Sequence, residues 1–172
     1  ELQGQQISKA NPTIVDINTT AFIPDEWVGS AEQKMIEYKR LADVKSQLEL
    51  DYITEEWKDR FSKAPESVEN LIKLIKIRLA ATDVKISLIR ETSENIRIYT
   101  PFLQAEWNII QKTLPSNILK KLKFTIAPKS CTDGKSIILM NSQYSSFNEI
   151  FDTLTNLFYY IKETANKYQN PS

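Results

Sequence analysis

Residues 55–71, EEWKDRFSKAPESVENL, restrict the fold of this chain more than any other stretch. They read as the end of an acidic helix, a short turn containing Pro65, and the start of an apolar helix. Two helices joined by about five residues lie side by side, so this corner sets the packing of the N-terminal half. The helix before it opens on a capping box, Ser46-x-x-Glu49, and presents Leu50, Ile53, Trp57 and Phe61 as its apolar stripe. Its opposite side carries Tyr52, Glu56, Asp59 and Arg60, stacked by the i+3 and i+4 rule. The helix after it begins near Pro65, whose missing N–H would be unpaired at a first helical position anyway. Val68, Leu71, Ile72, Ile75 and Leu79, with Leu74 and Ile77, make that helix apolar over most of its circumference, as expected of a central buried helix.

The rest of the chain is read outward from this corner. Residues 1–12 are polar and without periodicity, as in a leader or linker. Residues 15–23 (VDINTTAFI) set Val15, Ile17 and Thr19 against Asp16 and Asn18 and predict a short strand ended by Pro24-Asp25. Residues 25–29 read as a loop pinned to the core by Trp27. A helix follows from Ser30, which has capping-box spacing to Gln33, with Met35, Tyr38, Leu41 and Ala42 on one side.

Past the central helix the period changes. Residues 84–89 (VKISLI) and 95–99 (NIRIY) alternate across a polar connection and predict a hairpin. Pro101 opens a helix with Leu103, Trp107 and Ile110 in register, and Ser116 caps a short helical piece ending at Leu122. Leu122, Phe124 and Ile126 then alternate with Lys123 and Thr125, paired with a strand over 136–140. The loop between them, 128–135, has Asp133-Gly134 as its turn signal. A long helix over 145–167 packs Phe147, Ile150, Phe151, Leu154, Leu157, Phe158 and Ile161 on one side, before a frayed tail from Tyr168. The expectation is one α+β domain: a helical N-terminal half packed with small antiparallel β-hairpins and a long C-terminal helix.

Composition removes whole classes of chemistry. The chain has no histidine and one cysteine, Cys131, which rules out His-based triads, His acid–base catalysis and ordinary zinc sites. An intrachain disulfide is impossible, which fits a reducing, cytoplasmic setting. Three glycines in 172 residues leave no phosphate-binding loop of the GxGxxG or GxxxxGK[ST] kind. No apolar run reaches the ~20 residues that a bilayer requires, and there is no signal-peptide pattern. No cofactor, metal or small-molecule substrate is expected. The chain opens on Glu1 rather than Met, as a piece of something longer would.

Lys plus Arg and Asp plus Glu both number 22, so the overall cationic field of a stand-alone nucleic-acid binder is absent. The balance hides a gradient. Residues 25–59 hold ten acidic and five basic side chains, while residues 60–129 hold six acidic and thirteen basic.

Three clusters carry side chains of the types that chemistry uses. Glu55 and Glu56 point to different faces of a helix and cannot act as a catalytic pair; with Asp59 they read as a solvated acidic face or an interaction surface. Cys131 lies near Lys129 and Lys135 but lacks a base. Lys120, Lys121, Lys123 and Lys129 could meet phosphates beside Phe124, although Phe124 alternates as a core residue does. A nucleic-acid-binding module using the basic 60–129 stretch is therefore the alternative to an interaction surface at Tyr52, Glu56, Asp59 and Arg60.

One resemblance tips that choice. The run from Leu50 to Leu71 resembles the C-terminal domain of the bacterial transcription-repair coupling factors (Mfd), whose pattern is roughly E-[LW]-x-D-R-[FY]-G-x-x-P-x-x-V-x-N-L-[LI]. Glu56, Trp57, Asp59, Arg60, Phe61, Pro65, Val68, Asn70, Leu71 and Ile72 meet it, with Ser62 in place of the glycine. Upstream, Asp16-Ile17-Asn18, Ala21 to Asp25, Gln33-Lys34-Met35 and Tyr38-Lys39-Arg40 are similar to the family's entry and first helix, in wording closest to cyanobacterial members.

The resemblance implies that residues 1–14 link from a preceding translocase module and that 15–172 form the C-terminal domain. It further implies a domain without chemistry of its own. Such a domain packs on the UvrB-like N-terminal module of the parent, an ATP-dependent DNA translocase, and covers the surface that recruits UvrA. RNA polymerase and DNA are engaged through other modules. Carried over by motif, Glu56, Asp59 and Arg60 belong to the docking face, accepting from or pairing with charges on the covered module.

Overall fold

The computed structural model describes residues 11–169. Among these, five strands, β1 (Ile14–Asp16), β2 (Leu88–Glu91), β3 (Asn95–Thr100), β4 (Leu122–Ile126) and β5 (Ser136–Asn141), form one sheet in the order β1-β2-β3-β5-β4. β1 runs parallel to β2 and every other pair is antiparallel. The helices are α1 (Asp25–Val28), α2 (Ala31–Asp43), α3 (Gln47–Arg60), α4 (Glu66–Asp83), α5 (Gln104–Gln111), α6 (Ser116–Leu119) and α7 (Phe147–Gln169). The fold class is α+β, with the long C-terminal helix expected of it.

The chain divides into two compact units, one of residues 19–79 and one that joins residues 80–169 to the N-terminal strand. The first is helical. Ile23, Leu41, Leu50, Ile53, Trp57 and Val68 are buried at its centre, with Leu71, Ile72, Ile75 and Leu79 of α4 packed against them. Arg78 of α4 donates to the carbonyls of Leu41 and Val44 at 3.2 and 3.0 Å, which satisfies orphan acceptors at the end of α2. Asn70 reaches back to Thr20 O at 3.0 Å.

The second unit is built on the sheet. Its register aligns Ile89, Ile98, Ile138 and Phe124 across four strands, so β-branched side chains meet directly opposite one another. The other face aligns Leu88, Tyr99 and Ile137. Trp107 of α5 stacks on Phe124 with ring centroids 5.1 Å apart. On α7, Ile150, Leu154, Leu157, Phe158 and Ile161 are buried as the periodicity predicts.

Several expectations are corrected. The two hairpins are not separate: β3 pairs with β5 and fuses them into one mixed sheet. The first strand ends at Asp16 rather than Ile23, and residues 25–28 are a helical turn, closed by Gly29 at φ 101°. The strand expected from Val84 begins only at Leu88, because α4 runs on to Asp83. There Lys85 turns left-handed at φ 64°, its N–H bonding Thr82 O while the Ile86 N–H bonds Ala81 O. That is a Schellman cap, and it uses up the residues the strand was to contain.

Further corrections concern faces and ends. Met35 is 65% exposed and Leu103 54% exposed, so neither belongs to its predicted stripe, and Ala42 is exposed as well. Leu122 belongs to β4 rather than to the helical piece before it. α7 continues through Tyr168 to Gln169. Residues 1–10 of the predicted linker lie outside the described residues, and Thr13 is buried and bonded to Thr82 and Ile86.

Candidate functional site

The docking face predicted from sequence lies on α3, and α3 owes its orientation to α2. Both helices start on a serine whose side chain accepts from the third helical N–H, Ser30 from Gln33 at 3.1 Å and Ser46 from Glu49 at 3.2 Å. The return bonds of a capping box are not made as expected: Gln33 turns to Glu37, and Glu49 accepts from the Lys45 N–H. Leu41 of the first helix, Val44 at its C-cap, and Leu50, Ile53 and Trp57 of the second then bury the seam between them.

An acid lies in that seam. Glu37 has no exposed surface. Its Oε1 accepts from Trp57 Nε1 at 2.8 Å and from Arg40 Nη1 at 2.9 Å, and its Oε2 from Gln33 Nε2 at 2.5 Å and Arg60 Nη1 at 3.4 Å. A buried carboxylate is tolerated when its lone pairs are filled and cations stand beside it, and here both conditions are met. Arg40 also grips Glu56 with two parallel bonds of 2.7 and 3.1 Å. Arg60 adds a third bond to Glu56 at 2.7 Å, while its guanidinium lies 4.9 Å from the centroid of the Phe61 ring. The result is a chain of alternating charge, Arg60–Glu37–Arg40–Glu56, laid across two helices.

The four predicted residues therefore differ in what they are free to do. Tyr52 is 73% exposed and Asp59 is exposed, on the same side of α3 by their seven-residue spacing. Glu56 is half-buried and Arg60 exposed, and both are spent on the internal network. The Arg40 guanidinium, and after it that of Arg60, hold the Glu56 carboxyl at a pKa of about 2. Both Glu56 oxygens already accept from arginines of this chain, so neither waits for an arginine from elsewhere.

Sequence reasoning missed Glu37 and Arg40. A signal was present: position 37 lies one turn before Leu41 on the same face, so an acid there interrupts an apolar stripe. On the far side of α3 the aromatic residues are structural. Trp27 packs edge-on against Trp57 at 5.4 Å and against Phe61 at 5.0 Å, and its Nε1 donates to Ser62 O at 3.0 Å. Ser62, where the pattern has glycine, is not left-handed; among described non-glycine residues only Lys85 and Tyr144 are.

The other sequence candidates also resolve into packing. Cys131 is half-buried against Leu88, Tyr99 and Ile137. Phe124 is stacked on the buried Trp107. The basic 60–129 stretch is divided between the two units at residue 80.

A family model described as the TRCF domain matches residues 17–106, more than half of the chain. The chain belongs to the TRCF domain family. The transcription-repair-coupling factor of Buchnera aphidicola subsp. Acyrthosiphon pisum (strain APS) is 28% identical over 156 residues, 88% of this chain and 18% of that protein. Those of Staphylococcus haemolyticus (strain JCSC1435) and Rickettsia bellii (strain RML369-C) are 29% and 32% identical over 84 and 86 residues, 49% of this chain in both cases and 7% and 8% of their own lengths. This TRCF chain thus spans less than a fifth of the curated relatives it matches. Its fold is that of a crystal structure of the C-terminal domain of transcription-repair coupling factor, with a TM-score of 0.76 at 17% identity, covering 94% of this chain and 98% of that one. The matched span of the TRCF domain includes the whole α2–α3 network.

Proposed function

We propose that this chain is a non-catalytic, autoinhibitory interaction domain of a transcription-coupled DNA-repair translocase. It docks on the UvrB-like N-terminal module of its parent and covers the surface that recruits UvrA, in the cytoplasm, with no cofactor, metal or substrate of its own. ATP hydrolysis, DNA translocation and contact with RNA polymerase belong to other modules of the parent. Membership of the TRCF family supports the setting.

The observation that carries the docking role is the contrast between residues that share one face of α3. Tyr52 and Asp59 are exposed, while Glu56 and Arg60 on the same face tie the helix to α2. A face held rigid before binding loses little freedom on association. Asp59 is free to pair with a cation on the covered module, and an exposed pair of that kind contributes only about 0–1 kcal/mol. A latch of that strength is releasable when the parent engages a stalled polymerase, since a resting state must not be held too tightly.

The test is charge reversal at Asp59 in the full-length parent. Asp59→Lys leaves the network beneath untouched and is expected to increase UvrA capture and basal ATPase activity. Unchanged UvrA pull-down by a variant that melts like wild type would sink the autoinhibitory reading. Glu56→Lys is the poorer probe, because it also breaks three bonds within α2 and α3.

A further inference from the structure

Beside the charge network, between the C-terminal end of α2 and the first half of α3, lies an open groove of about 740 Å³. Its floor is Val44 and Ile53, both buried. Its apolar wall is made by Leu48 and Tyr52, which are 79% and 73% exposed and stand one helical turn apart. Ile36, one turn before Arg40 on α2, is another exposed apolar side chain at 53%. Folding gains nothing from a solvent-facing Leu and Tyr in register, and adjoining exposed apolar surface of this kind marks interaction sites.

The rim has one sign of charge. Asp43, Glu49, Asp51 and Glu55 line it against a single cation, Arg40. That cation is already held by Glu37 and Glu56. Glu49 and Asp51 are bonded to uncharged donors, the Lys45 backbone N–H and the Gln47 amide, so their charge is not cancelled. Glu55 pairs with Lys58 at 3.0 Å where both side chains are 70% exposed, a pair that a better-placed cation can displace.

An apolar floor inside an acidic rim selects a ligand that is apolar along one stripe and basic beside it. The groove is open rather than enclosed, and its lining residues run from Leu48 to Glu55 over two turns of α3, which suits a helix laid beside them, with i and i+4 anchors. We propose that this groove docks a basic amphipathic helix from a protein partner. A Leu- or Phe-sized side chain of that helix covers Val44 and Ile53 against Leu48 and Tyr52, and its Lys or Arg residues meet Asp43, Asp51 and Glu55. The inference deepens the docking reading, because Tyr52 belongs to both surfaces. It moves the main contact from the ion-paired Glu56 and Arg60 to the apolar wall beside them.

The test uses the 172-residue chain and three fluorescent peptides of about 16 residues, a length that gives four helical turns. One carries Leu at helical spacing with flanking Lys and Arg, one has Glu in place of those cations, and one is a scramble of the first. Anisotropy is expected to give saturable binding of the basic amphipathic peptide at roughly 10–100 µM, as befits a small interface. The other two should bind at least about tenfold more weakly, and raising salt should weaken the first. Leu48→Ser and Tyr52→Ser, both at exposed positions, should each reduce binding by about tenfold, as for central anchors of an interface. Amide shift changes on binding should centre on Val44, Leu48 and Ile53.

No binding of the basic peptide at about 1 mM, equal binding of all three, or binding indifferent to Leu48→Ser would overturn the proposal. The UvrA pull-down with Asp59→Lys is read separately. Peptide binding with an unchanged pull-down keeps the groove and removes the masking role, and the reverse pattern keeps the masking role and removes the groove.

Discussion

Glu37 is the residue on which the N-terminal unit turns. It is wholly buried and takes four donors from three different turns of two helices. Replacing it with Ala leaves the Trp57 N–H without this acceptor and leaves Arg40 and Arg60 one shared carboxylate, Glu56, in place of two. We expect Glu37→Ala to destabilise the chain by about 3 kcal/mol, the scale of a broken buried pair, and Glu37→Gln to cost less because an acceptor remains for Trp57. Urea unfolding measures both, and an Ala variant within about 1 kcal/mol of wild type would show that the network is ornamental. Glu56 supplies a pH signature. Its carboxyl is lowered from 4.5 to about 2 by the bonds from Arg40 and then Arg60. A depressed pKa contributes stability that is present above the unfolded value and lost as pH falls through the folded one. The melting-temperature gap between wild type and Glu56→Gln should therefore be widest near neutrality and close between about pH 4.5 and 2. A gap independent of pH would mean that the ion pairs contribute nothing.

At the scale of elements, the helix ends explain most of the boundary differences. α3 starts where its capping serine predicts, since an N-cap side chain acts locally and needs only Ser46 and the Glu49 N–H. α4 ends later than the alternation of residues 84–89 suggests, because a Schellman cap at Lys85 lets the helix run through Asp83 and then reverses the chain. A lysine at φ 64° carries a steric cost that glycine does not. Lys85→Gly is accordingly expected to stabilise the chain by about 0.5–1 kcal/mol, net of the greater freedom that glycine has when unfolded. A lower melting temperature for this variant would refute the cap. Gly134 shows the opposite constraint. A Cβ there would stand 2.9 Å from Thr100 O and 3.1 Å from Thr100 N, where Lys135 N–H bonds Thr100 O at 2.9 Å. Gly134→Ala should cost about 1–3 kcal/mol through overpacking, read as a fall in melting temperature.

For the molecule as a whole, the charge gradient along the sequence is not one patch. The basic 60–129 stretch is shared between two compact units, and its Phe124 is stacked on a buried Trp107. Nothing in that arrangement favours a stacking platform for bases. The isolated chain is expected to give no salt-dependent shift of duplex DNA at micromolar protein, and a shift that weakens steeply with salt would restore the nucleic-acid reading. The acidic stretch fares differently, because Asp43, Glu49, Asp51 and Glu55 gather on one groove of the helical unit.

Local patterns were enough for much of this protein. The helical periodicity of residues 147–161, the serine caps of α2 and α3, the alternation of β3 and β4 and the α+β class are all set by near neighbours, and near neighbours are what a sequence displays. The motif around Glu56, Asp59 and Arg60 was likewise legible, together with the family it belongs to. Three things depended on contacts between distant residues. The pairing of β3 with β5 turned two hairpins into one sheet. The cap at Lys85 took residues from a strand that looked complete by alternation. The burial of Glu37 drew Arg40, Glu56 and Arg60 into one network across two helices, and left Tyr52, Asp59 and Leu48 exposed outside it. Charge is written in the sequence, but whether a charge is already satisfied is a property of the tertiary structure, because it depends on which donors the fold brings within about 3 Å.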